Sequence, residues 1–304
     1  MPPYPPAPAP PASPADDRLA SVERAVRRMR DRLGEAQCLS DHAEAGLFSP
    51  FHFHRVFRSV TSVTPGRFLA ALRMAEAQRM MIRGAPRVTD VCTAVGYSSL
   101  GTFTTQFTRL VGMSPSRFKL LVDEHGDRRI GDIADTCDVA GAGGLPATTR
   151  PRPYEDTRGD ITGEVTGAGR DARGLLFAGL YPYGVPQDLP VGCAVTTTPG
   201  AVRLRVPDDG AYHLLAVWFD RDTRVADALD DPAGERRLVG TARAPRRGSP
   251  APLTLRLRAP LISDPPIVVA LPLLLALATE TTRVADTTGR RPRTTAPAAA
   301  SGSG

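Results

Sequence analysis

Ser49-Pro50-Phe51-His52-Phe53-His54-Arg55-Val56-Phe57 and, fifty residues later, Ser99-Leu100-Gly101-Thr102-Phe103-Thr104-Thr105-Gln106-Phe107 follow one pattern. In each, a Ser precedes two Phe residues four apart, which share one face of a helix and predict a buried edge. The likeness extends on both sides at an offset of 50: Gly46 with Gly96, Val60 with Leu110, Pro65 with Pro115, Arg67 with Arg117 and Phe68 with Phe118. Upstream the offset is 49, where Leu39-Ser40-Asp41-His42-Ala43 stands against Val88-Thr89-Asp90-Val91-Cys92. A repeat of this length marks a duplicated supersecondary unit.

Each copy predicts a short helix, a turn and a second helix opened by Ser49 or Ser99, whose hydroxyls suit exposed amides. That is helix-turn-helix grammar, with the faces opposite the Phe pairs free to meet DNA. Pro65 begins a linking helix through Phe68, Leu69, Leu72, Met74 and Met80, ended by Gly84-Ala85-Pro86. Ser114-Pro115 opens a closing helix, and Leu19, Val22, Val26, Met29 and Leu33 outline one before the first copy. Cys38 is a poor cap, so Ser40 or Asp41 is expected to help. His42 falls in the core slot of Val91 and is read as a satisfied core histidine, and Cys92 as a buried, inert thiol. After the second helices, Ser62 stands near the position of Gly112; a shared left-handed turn would strain Ser62.

Residues 17–122 resemble the AraC/XylS family of regulators. The stretch Ser49 to Phe57 is similar to the family's first recognition helix. Val95-Gly96-Tyr97-Ser98-Ser99-Leu100-Gly101-Thr102-Phe103 and Gly112-Met113-Ser114-Pro115 are similar to its second-unit signature. The resemblance implies an all-α double helix-turn-helix domain reading the major groove with helices at 49–60 and 99–110. Double-stranded DNA is the implied partner, and RNA polymerase and a small-molecule effector are further candidates. The implied contact residues are Ser49, Phe51, His52, His54, Arg55 and Arg58 in the first unit. In the second they are Ser99, Gly101, Thr102, Thr105, Gln106 and Arg109. Arg55 suits a bidentate contact to guanine and Phe51 a thymine methyl group, the alternative for Arg55 being a core-side salt bridge. Family members commonly carry Arg where this chain has Thr105 or Gln106, which implies weaker readout by the second unit, resting more on DNA shape.

Charge agrees with a polyanionic partner. The chain is +6, and residues 17–122 carry 16 Arg or Lys against 8 Asp or Glu, so that segment is +8 and the rest −2. A membrane is not expected: the longest apolar run, Ile267 to Ala278, holds twelve residues including Pro272, against about 20 for a span. The N-terminus does not read as a secretory signal. Cys38, Cys92, Cys137 and Cys193 form no close pair, which suits a reducing cytoplasm. His52 and His54, two apart on a helix, face different sides, and no metal or cofactor is expected.

Residues 1–16 form a Pro/Ala-rich tail predicted to be disordered, 123–158 a flexible linker, and 286–304 a second disordered tail. Between them, 159–285 predict an all-β unit. Its strands are expected near Ile161–Val165, Leu175–Leu180, Cys193–Thr197, Val202–Val206, Tyr212–Phe219, Arg237–Thr241, Leu253–Leu257 and Ile267–Ala270. Their count and spacing suit an antiparallel β-sandwich, with weak similarity to prealbumin-type sandwiches around Pro199–Leu204 and Asp209–Leu214. His213 has no nucleophile or base fixed beside it, so no enzyme is expected, and the competing hydrolase reading lacks a catalytic set. Tyr181, Tyr183, His213 and Trp218 are candidates for a pocket or for core. An effector sensor and a dimerisation module both remain open for this unit. The alternative for the whole chain is a DNA-tethered carbohydrate- or protein-binding β-sandwich module.

Overall fold

The computed structural model describes residues 14–85, 87–139, 161–169, 171–186, 190–204, 210–244 and 253–275. The helical part contains α1 (Pro14–Asp31), α2 (Leu39–Gly46), α3 (Pro50–Thr61), α4 (Pro65–Ile82), α5 (Val88–Ala94), α6 (Leu100–Val111), α7 (Pro115–His125) and α8 (Ile130–Val139). Pro50, Pro65 and Pro115 each stand at a helix start, where the missing N–H costs nothing and the fixed φ is already helical. In α4, Phe68, Leu69, Ala71, Met74, Gln78 and Met81 are all buried, so the helix has apolar contacts around its circumference. It touches α1, α2, α3, α5, α6 and α7.

The strand-rich part contains β1 (Ile161–Thr166), β2 (Gly174–Tyr181), β3 (Gly192–Thr196), β4 (Gly200–Leu204), β5 (His213–Asp220), α9 (Val225–Leu229), β6 (Arg237–Arg243) and β7 (Leu253–Arg256). They form two sheets, ordered β4-β1-β7 and β3-β2-β5-β6. The expectation of a wholly antiparallel arrangement is corrected: β1 pairs with β7 in parallel, from Gly163↔Leu253 to Thr166↔Arg256. A parallel pair needs a crossover instead of a hairpin, and β7 comes to β1 from the far end of the chain.

Strand β2 is buried along its whole length. Leu176, Ala178 and Leu180 join Leu214, Ala216 and Trp218 of β5 and Val202 and Leu204 of β4 in the core between the sheets. The alternate residues Leu175 and Phe177, with Val217 and Phe219 of β5, point the other way and share one cluster with Phe53, Phe107 and Met74 of the helices. The period of two along a strand thus divides one sheet between two cores, and a strand covered on both faces reads as a continuous apolar run.

Two expectations fail at this seam. Residues 123–139 were expected in a linker, yet α7 runs to His125 and α8 buries Ile130 and Ile133 in the helical core. The stretch between them is tied to the strand-rich part by backbone bonds. Ile130 N donates to Thr223 O at 2.9 Å, Gly131 N to Arg221 O at 2.8 Å, and Ala226 N to Gly126 O at 2.9 Å. Ile267–Ala270 is not a strand. It leaves the sheets and runs over the helices, where Gln78 Nε2 donates to Val268 O at 2.8 Å and Ala270 N to Val111 O at 3.1 Å. A short helix over 271–275 follows, packing Leu271, Leu273 and Leu275 into the helical core. The apolar pattern was read at the right place but could not say which partner it covers. The two tails and the rest of the linker lie largely outside the described residues, as do Arg205 and Val206 of the expected fourth strand.

Because one sheet closes the helical core, helices and strands should unfold together. Phe177→Ala, on the face of β2 turned to the helices, should cost about 3–5 kcal/mol. The helical circular dichroism and the fluorescence of Trp218, which lies in the core between the sheets, should then shift to one lower midpoint. Two separated transitions would show independent units.

Candidate nucleic-acid interface

The turns that aim α3 and α6 share their hydrogen bonds. After α2, Leu47 N donates to Glu44 O and Phe48 N to Ala43 O, both at 3.0 Å; after α5, Gly96 N donates to Thr93 O and Tyr97 N to Cys92 O, also at 3.0 Å. Leu47 (φ 62°) and Gly96 (φ 81°) occupy the same left-handed position. This corrects the pairing of Gly46 with Gly96: the offset is still 49 through Tyr97, and the extra residue of the second copy follows it. Gly46 answers a different need. A Cβ there would sit 2.8 Å from Ser21 Oγ and 2.9 Å from the Phe53 ring.

Behind the helices, aromatic rings repeat the duplication. Phe53 packs on Phe57 with ring centroids 5.4 Å apart, and Phe57 meets Phe68 of α4 edge-on at 5.3 Å. Phe103 packs on Phe107 at 5.6 Å, and Phe107 meets Phe118 of α7 edge-on at 5.6 Å. Such pairs add about 0.5–1.5 kcal/mol beyond area burial and fix the roll of each helix.

The opposite faces lie at the surface. On the first, Ser49, Phe51, Arg55 and Arg58 are exposed and His52 and His54 half-buried, with Phe51 81% accessible. The His52 ring stacks on Phe48 at 4.6 Å. Among the described residues Arg55 has no salt-bridge partner, so the core-side pair considered for it is not made. On the second face Ser99, Gly101, Thr102, Thr105 and Arg109 are exposed and Gln106 half-buried. Thr105 Oγ1 turns back to Gly101 O at 3.0 Å and Thr108 Oγ1 to Thr104 O at 2.8 Å, which shortens the reach of this helix further. Leu100, in the slot of Pro50, is a further exposed side chain at the start of α6. Sequence reasoning passed over it because an exposed Leu and a core Leu look alike in the pattern.

A family model described as a helix-turn-helix domain matches residues 43–120. The chain is 30% identical over 90 residues to the HTH-type transcriptional regulator Rv1931c of Mycobacterium tuberculosis, covering 30% of this chain and 35% of that protein. It is 30% identical over 91 residues to YobQ, an uncharacterized HTH-type transcriptional regulator of Bacillus subtilis, covering 30% and 38%. Residues 43–120 are an AraC-type helix-turn-helix domain. The chain spans little more than a third of the length of these relatives. Among solved structures it is similar to the DNA-binding domain of AdpA in complex with a target DNA, at 25% identity and TM-score 0.33, covering 34% of this chain and 94% of that one.

Not every arginine of the AraC-type domain and its first helix faces outward. Arg24 donates to Ala45 O and Gly46 O at 3.2 and 3.3 Å, and Arg73 to Leu33 O and Glu35 O at 3.1 and 2.7 Å, so both close turns. The +8 charge therefore overstates the side chains free to meet phosphates. The helix starts also differ. Ser99 accepts from Thr102 N at 3.4 Å, but Ser49 makes no such bond, contrary to the expectation for both. At Cys38 the help comes from Asp41, whose carboxylate accepts from Cys38 N at 2.7 Å and is held below its usual pKa by that bond.

His42 is buried, but its Nδ1 lacks a partner among the described residues, so it is a core histidine without being a satisfied one. Burial lowers its pKa, Arg28 and Arg73 act in the same direction, and Asp41 opposes them. Cys92 is buried as expected, and burial pushes its thiol pKa up.

Two outcomes follow from these local environments. Leu47 and Ser62 (φ 61°) hold left-handed conformations that Gly112 (φ 92°) adopts without a Cβ. Ser62→Gly and Leu47→Gly should each relieve roughly 1 kcal/mol, less the added entropy of the unfolded chain, and Gly112→Ala should destabilise, as chemical denaturation would read. His42 resists a proton that the unfolded chain accepts near pH 6.5, so stability is full above that pH and declines below it. His42→Val should flatten the decline measured between about pH 5 and 6.5, leaving the share of His213, whose pKa burial also lowers.

Proposed function

We propose that the chain is a sequence-specific DNA-binding transcription regulator. Its AraC-type domain is a double helix-turn-helix reader that places α3 and α6 in the major groove. The observation that carries this reading is the paired construction: each helix is pinned by a buried Phe pair and turns an exposed face outward within a +8 segment. The names of the relatives as transcriptional regulators support it. Arg55 reads guanine, Phe51 touches a thymine methyl group, and Ser49, His52, His54 and Arg58 complete the first contact. Ser99, Gly101, Thr102, Thr105, Gln106 and Arg109 make a weaker second contact that depends on backbone and shape. The strand-rich part, a two-sheet sandwich, serves as sensor or dimerisation module, and RNA polymerase is the downstream partner in the cytoplasm.

The test is selection of a preferred duplex from a random pool by the full chain, followed by titration at rising salt. Affinity should fall steeply between about 50 and 200 mM salt. Arg55→Ala should cost about 1–3 kcal/mol and relax one position, and Thr105→Ala should cost less. Equal losses would refute the asymmetry, and binding indifferent to sequence would refute the regulator.

A further inference from the structure

A cavity of about 360 Å³ lies between α4 and the outer face of β6. Its walls join the two parts of the chain: Arg30 of α1 and Leu72, Ala75, Glu76 and Arg79 of α4 on one side, Arg237 and Val239 of β6 on the other. Ile262 and Ile267, from the stretch that leaves the sheets, help to close it. The size is within the usual range for small-molecule sites, which combine an apolar body with a few convergent polar groups.

The charges in this cavity are equal in number but not all paired with one another: Glu76 meets Arg79 and Asp231 meets Arg237, while Asp264 is taken by Arg258 from outside the lining and Arg30 is left over. Three arginines, Arg30, Arg79 and Arg237, share it with three acids, Glu76, Asp231 and Asp264. Each acid is committed elsewhere or to one arginine. Glu76 pairs with Arg79. Asp231 accepts from Glu235 N at 2.9 Å and Arg236 N at 3.1 Å, holds Arg237 Nε in a long ion pair at 3.8 Å, and its backbone O accepts from Arg237 Nη2 at 3.4 Å. Asp264 accepts from Arg258 at 2.6 and 2.9 Å and from Leu261 N at 2.7 Å. Among the described residues Arg30 has no ion-pair partner, and Arg237 Nε is buried with no hydrogen bond. Burial weighs most on Arg237, where Asp231 offsets part of the cost and Arg79 adds repulsion, while Arg30 stands exposed at the cavity wall with Arg79 and Arg237 as its charged neighbours. Guanidinium does not escape by losing its proton, so the arrangement favours an incoming anion.

We propose that this cavity binds a small organic carboxylate. Its head sits among Arg30, Arg79 and Arg237, and its aromatic or aliphatic body against Leu72, Ala75, Val239, Ile262 and Ile267. Planar guanidiniums match a carboxylate in bidentate geometry. Since both parts of the chain line the site, an occupant bridges the core helix of the AraC-type domain to the sheet. It thereby couples to the affinity of that domain for DNA. This effector role rests on the function proposed above; the binding itself does not.

Calorimetry and thermal melting of the full chain with benzoate, salicylate and octanoate test the site, with benzyl alcohol and octanol as uncharged counterparts. At least one carboxylate should bind saturably and raise the melting temperature, and the alcohols should not. Arg30→Gln and Arg237→Gln should each weaken it about tenfold or more, the loss expected for a charge-assisted hydrogen bond. Ala75→Leu, a smaller disturbance to folding, should weaken it by filling the cavity. The site is overturned if no carboxylate saturates below about 10 mM, if the alcohols bind as well, or if folded variants bind undiminished. A carboxylate that binds yet leaves the affinity for the selected duplex unmoved overturns the effector role alone. A chain that binds no duplex overturns the regulator and leaves the calorimetric result standing.

Discussion

A helix with buried side chains all around its circumference has to be covered on several sides, and much of this molecule follows from covering α4. Its N-terminal half receives Phe57 of α3 through Phe68, and its length lies against the first and second helical pairs. That leaves a side that the duplicated unit does not reach. Helix α9 of the strand-rich part and the stretch around Val268 supply further cover, and buried Gln78 fixes the latter through a backbone carbonyl. A buried amide left without such a partner would cost about 1–3 kcal/mol, so the side chain specifies the crossing as well as tolerating it.

The duplicated unit was legible because its signals are local. Phe pairs four apart, helix-starting prolines and a fixed offset all act within one or two turns, and the rings fall where the spacing put them. The strands were legible for the same reason, since β2 and β5 are alternations or apolar runs of the right length. What failed was assignment of partners. Ile267–Ala270 is as apolar as a strand but meets helices, and nothing in its composition distinguishes the two. The polar stretch after Val122 looked like a linker because its backbone bonds to Arg221 and Thr223 involve no side-chain pattern. Gly46 and Leu47 were misread by one position because glycine serves two purposes, close approach and left-handed backbone, that leave the same letter.

The exposed faces carry their own contrast. Around α3 the surface holds Phe51, Arg55 and Arg58, whereas α6 presents Gly101, Thr102 and Thr105 between Leu100 and Arg109, with two threonine hydroxyls bound to their own helix. A duplicated frame has thus kept its interior while its outer surfaces diverged. The physical reason is that ring packing constrains volume and shape closely, and a solvated face does not. Residue identity on such faces is where contact roles are least decided by the fold itself.

The bond from Gln78 to Val268 joins residues 190 positions apart. At synthesis rates of about 5–20 residues per second, the segment that completes this core leaves the ribosome roughly 10–40 s after α4 does. Through that interval the nascent helices must carry apolar surface without its final cover, in reach of chaperones and of neighbouring chains. The order in which the polypeptide is made therefore sets a period of vulnerability that a head with a self-contained core would not have.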